Sequence, residues 1–251
     1  MDPLFLDDKE MMYEAEGALD EMRRWMSQWT RRLAEIEMFL EGLTLEEKSA
    51  YAQLFSQLYG CEWLGAQTYA ALAAVPSEAK YSDDEQAYWL HRAGEKLKRS
   101  RLLKEIIEME QPPAEFHPQL VQFGNDVRNE GVLGKCLAVP FFLDSVVLPA
   151  IYERVAETTS ISLFRETIRQ FLEEENRSLE PVIPFLKERI QQAPGEERQK
   201  GRMLFDRWLP QLDQVISAQR DAAAYVGMDV DDIKAKVLQA FQKMSRKIRL
   251  I

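Results

Sequence analysis

The sequence predicts an all-α fold, and three observations support this prediction. Glycine and proline are sparse, with 11 of each among 251 residues, and they fall in a few short stretches. Apolar residues recur at the three- and four-residue spacing of a helix face almost from end to end. No stretch shows a convincing strand pattern. With 46% hydrophobic residues, the chain can bury one sizeable core, so we expect a single domain over residues 1–251.

Composition limits the kinds of partner that the chain can have. A net charge of −10 and a pI near 5.0 oppose binding to nucleic acids or anionic lipid, which leaves small molecules and other proteins. Cys61 and Cys136 have no metal-type spacing and suit a reducing compartment. The most apolar run, residues 139–151, is too short to span a bilayer and contains Asp144. The acidic N-terminus does not resemble a signal peptide. We therefore expect a cytoplasmic protein with no membrane span and no nucleic-acid partner.

Two helices are predicted in the N-terminal part of the chain. The first covers about residues 8–40, where one apolar stripe of methionine, leucine and tryptophan predicts an amphipathic helix. The second covers about residues 45–75. Thr44 precedes it, and Glu47 stands three residues later, which is the pattern of a capping box.

The third helix is predicted over residues 82–110. Ser82 is its N-cap, Glu85 occupies the capping-box position, and two prolines stop the helix at its other end. Residues 111–130 then form a longer connection between the two halves of the predicted bundle.

The remaining helices follow from apolar runs that glycine and proline interrupt. An almost continuously apolar helix is predicted over residues 131–157, and its two prolines, Pro140 and Pro149, should bend it. The next helix covers residues 162–191. C-terminal helices follow over residues 196–248, with a stop near Gly227. The core bundle thus extends over about residues 45–191.

Four successive predicted helices each place one acidic residue on an otherwise apolar face: Glu62, Glu95, Asp144 and Glu175. A lone buried carboxylate is costly unless it is paired, hydrogen-bonded, protonated or bound to a metal. Di-iron carboxylate bundles use one acid from each of two helices and a Glu-x-x-His pair from each of the other two. Here the second and fourth acids are followed, three residues later, by Lys98 and Ser178.

On these residues the chain from about 45 to 191 resembles the ferritin-like superfamily, and within it the cyanobacterial aldehyde-deformylating oxygenases and related di-iron oxygenases. The stretch EENRSLEPVIPFLK resembles their last ligand helix, with Glu175 at the glutamate and Ser178 where they carry histidine. GEKLKRS resembles their second ligand helix, with Glu95 at the glutamate and Lys98 at the histidine. The resemblance implies a four-helix bundle with additional N- and C-terminal helices and an oxidoreductase site in which both histidines have been replaced.

The missing histidines divide the functional predictions. Imidazole suits Fe(II), whereas a lysine ammonium has no lone pair to donate. The first hypothesis is a ferritin-like protein with a degenerate carboxylate site, either metal-free or unconventional in its metal use, which binds an apolar small molecule. Lys98 would then neutralise the carboxylates. If Lys98 turned away, oxygen ligands would suit a weakly bound divalent ion such as Mn²⁺, Mg²⁺ or Ca²⁺.

The alternative is a metal-dependent oxidoreductase or oxygenase of the di-iron or manganese type that acts on a hydrophobic substrate. In that case the four acids are the ligands, and whether the protein is an enzyme depends on this choice. A homodimer is compatible with both hypotheses.

A different register of the third helix stays open at this point. Tyr88 and His91 could take the acid-x-x-His place, with Glu95 one turn further along the same face. We favour Glu95 and Lys98, because they lie at a more ordinary distance from the predicted helix start. Two further tyrosines fall on the inferred inner faces, Tyr69 and Tyr152. For both we favour core packing with a satisfied hydroxyl over a redox role.

Overall fold

The computed structural model describes the following parts of the chain: residues 34, 36–38, 40–75, 83–109, 112–158 and 162–248. The regular secondary structure in these parts is helical, and no strand occurs in them. Contacts between Cα atoms divide the chain into two units, residues 1–42 and 43–251. The helix predicted over residues 8–40 lies almost entirely outside the described residues. One domain over the whole chain stays a prediction.

Four long helices of the second unit correspond to the predicted bundle, and their bounds agree with the predicted ones to within about two residues. The helices described in residues 43–251 are, in chain order, α1 (Leu45–Ala73), α2 (Asp83–Glu108), α3 (Pro118–Asn129), α4 (Val132–Thr158), α5 (Ser162–Gln192), α6 (Gly195–Ser217), α7 (Arg220–Tyr225) and α8 (Val230–Lys247). The core bundle consists of α1, α2, α4 and α5.

The local signals at the start of α1 act as expected. The backbone N–H of Glu47 donates to Oγ1 of Thr44 at 3.2 Å, and the backbone N–H of Thr44 donates to the Glu47 carboxylate at 2.9 Å. These two bonds form the predicted capping box. Helix α1 packs along α2, α4 packs along α5, and α4 also contacts α1, so the inner faces of the bundle meet around a common interior.

Two connections differ from their predictions. The segment predicted as a connection over residues 111–130 contains helix α3, which packs against α1 and α6. Its first residue is Pro118, and Nδ1 of His117 accepts the backbone N–H of Gln119 at 3.2 Å, so a proline and a side-chain cap together start the helix. The C-terminal region predicted as one helix up to residue 226 is broken between α6 and α7.

Helix α4 is the central element, and its middle is a π-helix over Leu137–Val147. Pro140 lies inside this segment. Its ring lacks an N–H and crowds the preceding turn, which favours a widened helix over the simple bend that the sequence predicts. In the described part of the chain, α4 is also the one helix long and apolar enough to cross a membrane, but 78% of its apolar window is buried inside the protein. It therefore serves as the core helix here, and Asp144 lies in its π-helical segment.

Candidate functional site

The interior of the bundle holds six charged side chains that contact one another, which we call the buried ion cluster. Three are carboxylates, each from a different helix: Glu62 of α1, Asp144 of α4 and Glu175 of α5. Three are cations from α2: Arg92, Lys96 and Arg99. Each of the six side chains is at most 3% exposed.

The cations reach the interior because of their spacing along α2. Alternating intervals of three and four residues keep side chains on one face of a helix. The buried residues of α2 that follow this spacing are Trp89, Arg92, Lys96, Arg99, Leu103 and Ile106. The cationic stretch is therefore part of the core-facing stripe, with apolar residues at both ends.

Lys96 lies at the centre of the cluster. Its Nζ is 3.1 Å from Oε2 of Glu62, 2.8 Å from Oδ1 of Asp144 and 2.6 Å from Oε1 of Glu175. A single ammonium group thus contacts all three carboxylates. On α1, Gly65 leaves room for the lysine, since a Cβ at that position would lie 3.2 Å from Cδ of Lys96.

The two arginines hold the carboxylates from either side of Lys96. Nη2 of Arg92 donates to Glu175 at 2.6 Å and to Asp144 at 3.2 Å. Nη1 of Arg99 donates to Glu175, while its Nη2 and Nε donate to Glu174 at 2.8 Å and 3.0 Å. Glu175 consequently accepts from all three cations.

Two buried tyrosines complete the hydrogen bonding of the carboxylates. The hydroxyl of Tyr69 donates to Oδ2 of Asp144 at 2.7 Å, and that of Tyr152 donates to Oε1 of Glu62. Burial raises the pKa of both phenols, and the adjacent carboxylates raise it further. Both hydroxyls therefore stay neutral donors, which agrees with the satisfied core position expected from the sequence.

The charges of the cluster shift the pKa values of its members in different directions. For Lys96, burial favours the neutral amine, but the carboxylates, with Asp144 the strongest, raise its pKa above 10.5. For Glu175, burial favours the protonated acid, but Lys96 and the two arginines hold its pKa well below 4.5. For Asp144, burial outweighs the attraction of Lys96, so its pKa is raised above 3.8. Lys96 and Glu175 therefore form an ion pair at neutral pH.

The structure brings together three of the four predicted acids, and it corrects the identity of the lysine. Lys98 is exposed and does not reach the carboxylates. Lys96 takes that place, because a shift of two residues turns a side chain to the other side of a helix. Glu95 lies at the edge of the cluster, 22% exposed, where its Oε2 accepts from Nη1 of Arg92 at 2.7 Å.

The remaining predicted residues lie outside the cluster. The hydroxyl of Ser178 donates to the carbonyl of Glu174 at 2.5 Å, so it points along its own helix. The hydroxyl of Tyr88 donates to the carbonyl of Ser178 at 3.0 Å. His91 has 71% of its side chain exposed, with Nε2 3.3 Å from Oε1 of Glu95. The alternative register through Tyr88 and His91 therefore does not form an acid and imidazole pair inside the bundle.

The chemistry of the cluster does not fit a di-iron site. Such a site needs neutral imidazole donors and carboxylate oxygens that are free to bind metal. Here the inner carboxylates are held by three cations, and no histidine of the described residues reaches them. The described residues also contain no group of three or more histidine, cysteine, aspartate or glutamate side chains arranged to hold a metal ion.

An apolar cavity lies beside the cluster, between α1, α4 and the C-terminal helices. Its volume is about 70 Å³, and Phe55, Leu58, Val147, Ile151 and Ile216 are among its lining residues. Cys61 also lines it. Burial and the neighbouring Glu62 raise the pKa of the Cys61 thiol to about 12, so it presents a neutral group to the cavity. The cavity is several times the roughly 10–15 Å³ that one water molecule needs.

Comparison with solved structures identifies the fold. The chain is similar to a Synechococcus protein described as "Protein 19 with aldehyde deformylating oxidase activity", with a TM-score of 0.61. The two share 12% sequence identity, and the match covers 82% of this chain and 92% of the other. No protein-family model and no curated protein matches the chain. The predicted fold class, an all-α ferritin-like bundle with additional helices, is confirmed.

Proposed function

We propose that this ferritin-like protein works without a di-metal centre and binds an apolar small molecule in the cavity beside the buried ion cluster. The observation that carries the proposal is the position of Lys96, whose ammonium contacts Glu62, Asp144 and Glu175 at 2.6–3.1 Å. In this proposal the lysine supplies the positive charge that a metal ion would supply between the same carboxylates.

Electrostatics support the metal-free half of the proposal. Three cations face three carboxylates in the cluster, so the group is neutral before any ion enters. A divalent cation would have to displace Lys96, and the lysine would then have to lose its proton or remain as a like charge beside the metal. The raised pKa of Lys96 opposes loss of the proton. Like charges at short range in a buried site oppose the other outcome.

The cavity supports the ligand half. Small-molecule sites are usually concave and mostly apolar, with a few polar groups that orient the ligand. The cavity is lined largely by aliphatic and aromatic side chains from five helices and the turns between them, and the neutral cluster beside it presents no net charge. A non-ionic apolar molecule is the class that such a lining accepts.

Metal analysis tests the first half. Protein purified without chelator is incubated with Fe(II) or Mn(II), desalted and measured for bound metal, together with Glu175→Ala. We expect no stoichiometric metal in either protein. Binding of about two ions per chain, the stoichiometry of a di-metal carboxylate bundle, that is lost in Glu175→Ala and kept in the exposed control Glu180→Ala would overturn the proposal.

The second candidate is a metal-dependent oxidoreductase with a hydrophobic substrate. The likeness to a protein with aldehyde deformylating oxidase activity and the convergence of Glu62, Asp144 and Glu175 from three helices favour it. The metal-binding outcome just described is the result that this candidate requires.

A further inference from the structure

One side chain of the apolar cavity has an unused hydrogen-bond acceptor. Gln219 lies between α6 and α7, is 8% exposed and lines the cavity. Its Nε2 donates to the carbonyl of Val215 at 3.4 Å, whereas its Oε1 is buried without a hydrogen-bond partner. Reversing the amide would place the oxygen against that carbonyl, so the orientation is fixed by the bond. An unsatisfied buried oxygen is unfavourable and favours a ligand that satisfies it.

Two other amide or hydroxyl side chains of the lining have their polar groups engaged. Gln57 donates from Nε2 to the carbonyl of Glu115 at 3.0 Å, and its Oε1 accepts the backbone N–H of His117 at 2.9 Å. The hydroxyl of Thr158 donates to the carbonyl of Arg154 at 2.8 Å. Gln219 is the lining residue, within the described part of the chain, that has a buried side-chain oxygen without a partner.

From this arrangement we infer that the cavity selects an apolar molecule that carries one hydrogen-bond donor, such as a small alcohol or a phenol, with its O–H on Oε1 of Gln219. This inference rests on the proposed apolar ligand and specifies its polar group. A carboxylate ligand lacks the donor and would bring an unpaired charge into an apolar space. A water molecule is a poor occupant, because an ordered buried water usually makes about three hydrogen bonds.

Phenol and toluene are suitable probes, because the two rings differ only in having a hydroxyl or a methyl group. Binding of each is measured by calorimetry to the full chain, to Gln219→Leu and to Gln211→Leu. Gln211 is the matched control: it is also 8% exposed and has a buried oxygen without a partner, but it does not line the cavity. We expect Gln219→Leu to lower the preference for phenol over toluene about tenfold, equal to about 1.4 kcal/mol, and Gln211→Leu to retain it.

The outcomes separate this inference from the proposed function. Toluene binding that is lost in Ala223→Leu, a substitution at a buried lining residue, supports the apolar site. If the phenol preference is then the same in the parent and in Gln219→Leu, the donor inference is wrong while the apolar site stands. If neither probe binds the parent protein, both are wrong. Should Gln219→Leu not fold, Gln219→Met, which keeps an unbranched side chain, provides the same comparison.

Discussion

Lys96 is the residue on which the buried ion cluster depends most. It has no exposed surface, and its ammonium contacts carboxylates from three helices. Removing one partner of a buried ion pair is costly because it leaves the other charge uncompensated. Lys96 is thus expected to matter for folding, in addition to the role proposed for it in place of a metal.

The substitution Lys96→Met tests this expectation. We expect it to lower the free energy of unfolding by roughly 3–5 kcal/mol, measured by urea denaturation at neutral pH. Lys98→Met is the matched control, because the same change two residues away affects an exposed side chain; it should stay within about 0.5 kcal/mol of the parent. Equal, small effects of the two substitutions would show that the buried lysine has been misassigned.

At the residue scale, the sequence predicts acids better than cations. Glu62, Asp144 and Glu175 stand alone on apolar faces, so their inward direction follows from periodicity. Lys96 lies on a helix with many charges, where a long side chain can either enter the core or extend along the surface to water. The intervals from Trp89 through the cations to Ile106 contain the signal, but a family resemblance centred on Glu95 points to the wrong lysine.

At the element scale, the contact between α1 and α2 depends on a glycine. A Cβ on Gly65 would lie 3.2 Å from Cδ and 3.4 Å from Cγ of Lys96. The three carboxylates hold the end of that lysine, so its stem has little freedom to move aside. The absence of a side chain at this position lets the lysine pass α1 to reach the cluster.

Gly65→Ala should therefore destabilise the protein even though alanine favours helices. Overpacking of a buried contact typically costs about 1–3 kcal/mol, which exceeds or offsets the gain of about 1 kcal/mol from helix propensity. Gly94→Ala on α2 is the control, since a Cβ there meets nothing within 4 Å; it should raise stability by about 0.5–1 kcal/mol. Thermal unfolding measures both. A gain in Gly65→Ala as large as that in Gly94→Ala would contradict the close approach of Lys96.

Helix bounds and helix interiors differ in how far sequence predicts them. The bounds of α1 follow from the Thr44 and Glu47 box, because capping is decided by neighbours in sequence. The π-helical segment of α4 does not follow from its residues in the same way. Pro140 disfavours a regular α-helical turn, but whether the helix kinks or widens depends on the side chains packed around it.

At the scale of the whole molecule, the cluster joins the four bundle helices through charge. Helix α2 supplies the cations, while α1, α4 and α5 supply the carboxylates. Each helix therefore needs the others to satisfy its buried charge, which links the packing of the bundle to its state of protonation. The likeness to a solved structure at 12% identity fits such a division, since the bundle can persist while the interior side chains change.

Stability should accordingly depend on pH in acid, with opposite contributions from two carboxylates. Glu175 has a folded pKa below its ordinary 4.5, so its stabilisation is present above about pH 4.5 and is lost as the pH falls below it. Asp144 has a folded pKa above its ordinary 3.8. The folded protein therefore binds that proton more readily than the unfolded chain, and acid relieves part of the cost of its charge.

Glu175→Gln isolates the first contribution. At neutral pH the variant should be less stable than the parent by roughly 3–5 kcal/mol, because the three cations lose their shared carboxylate. This deficit should shrink as the pH is lowered from about 5 towards 3, because protonation then removes the same charge from the parent protein. Urea unfolding at a series of pH values measures it, with Glu180→Gln as the exposed control on the same helix. A deficit that stays constant from neutral pH to pH 3 would show that Glu175 carries no ionised charge in the folded bundle, and that Lys96 and the arginines are balanced by other carboxylates.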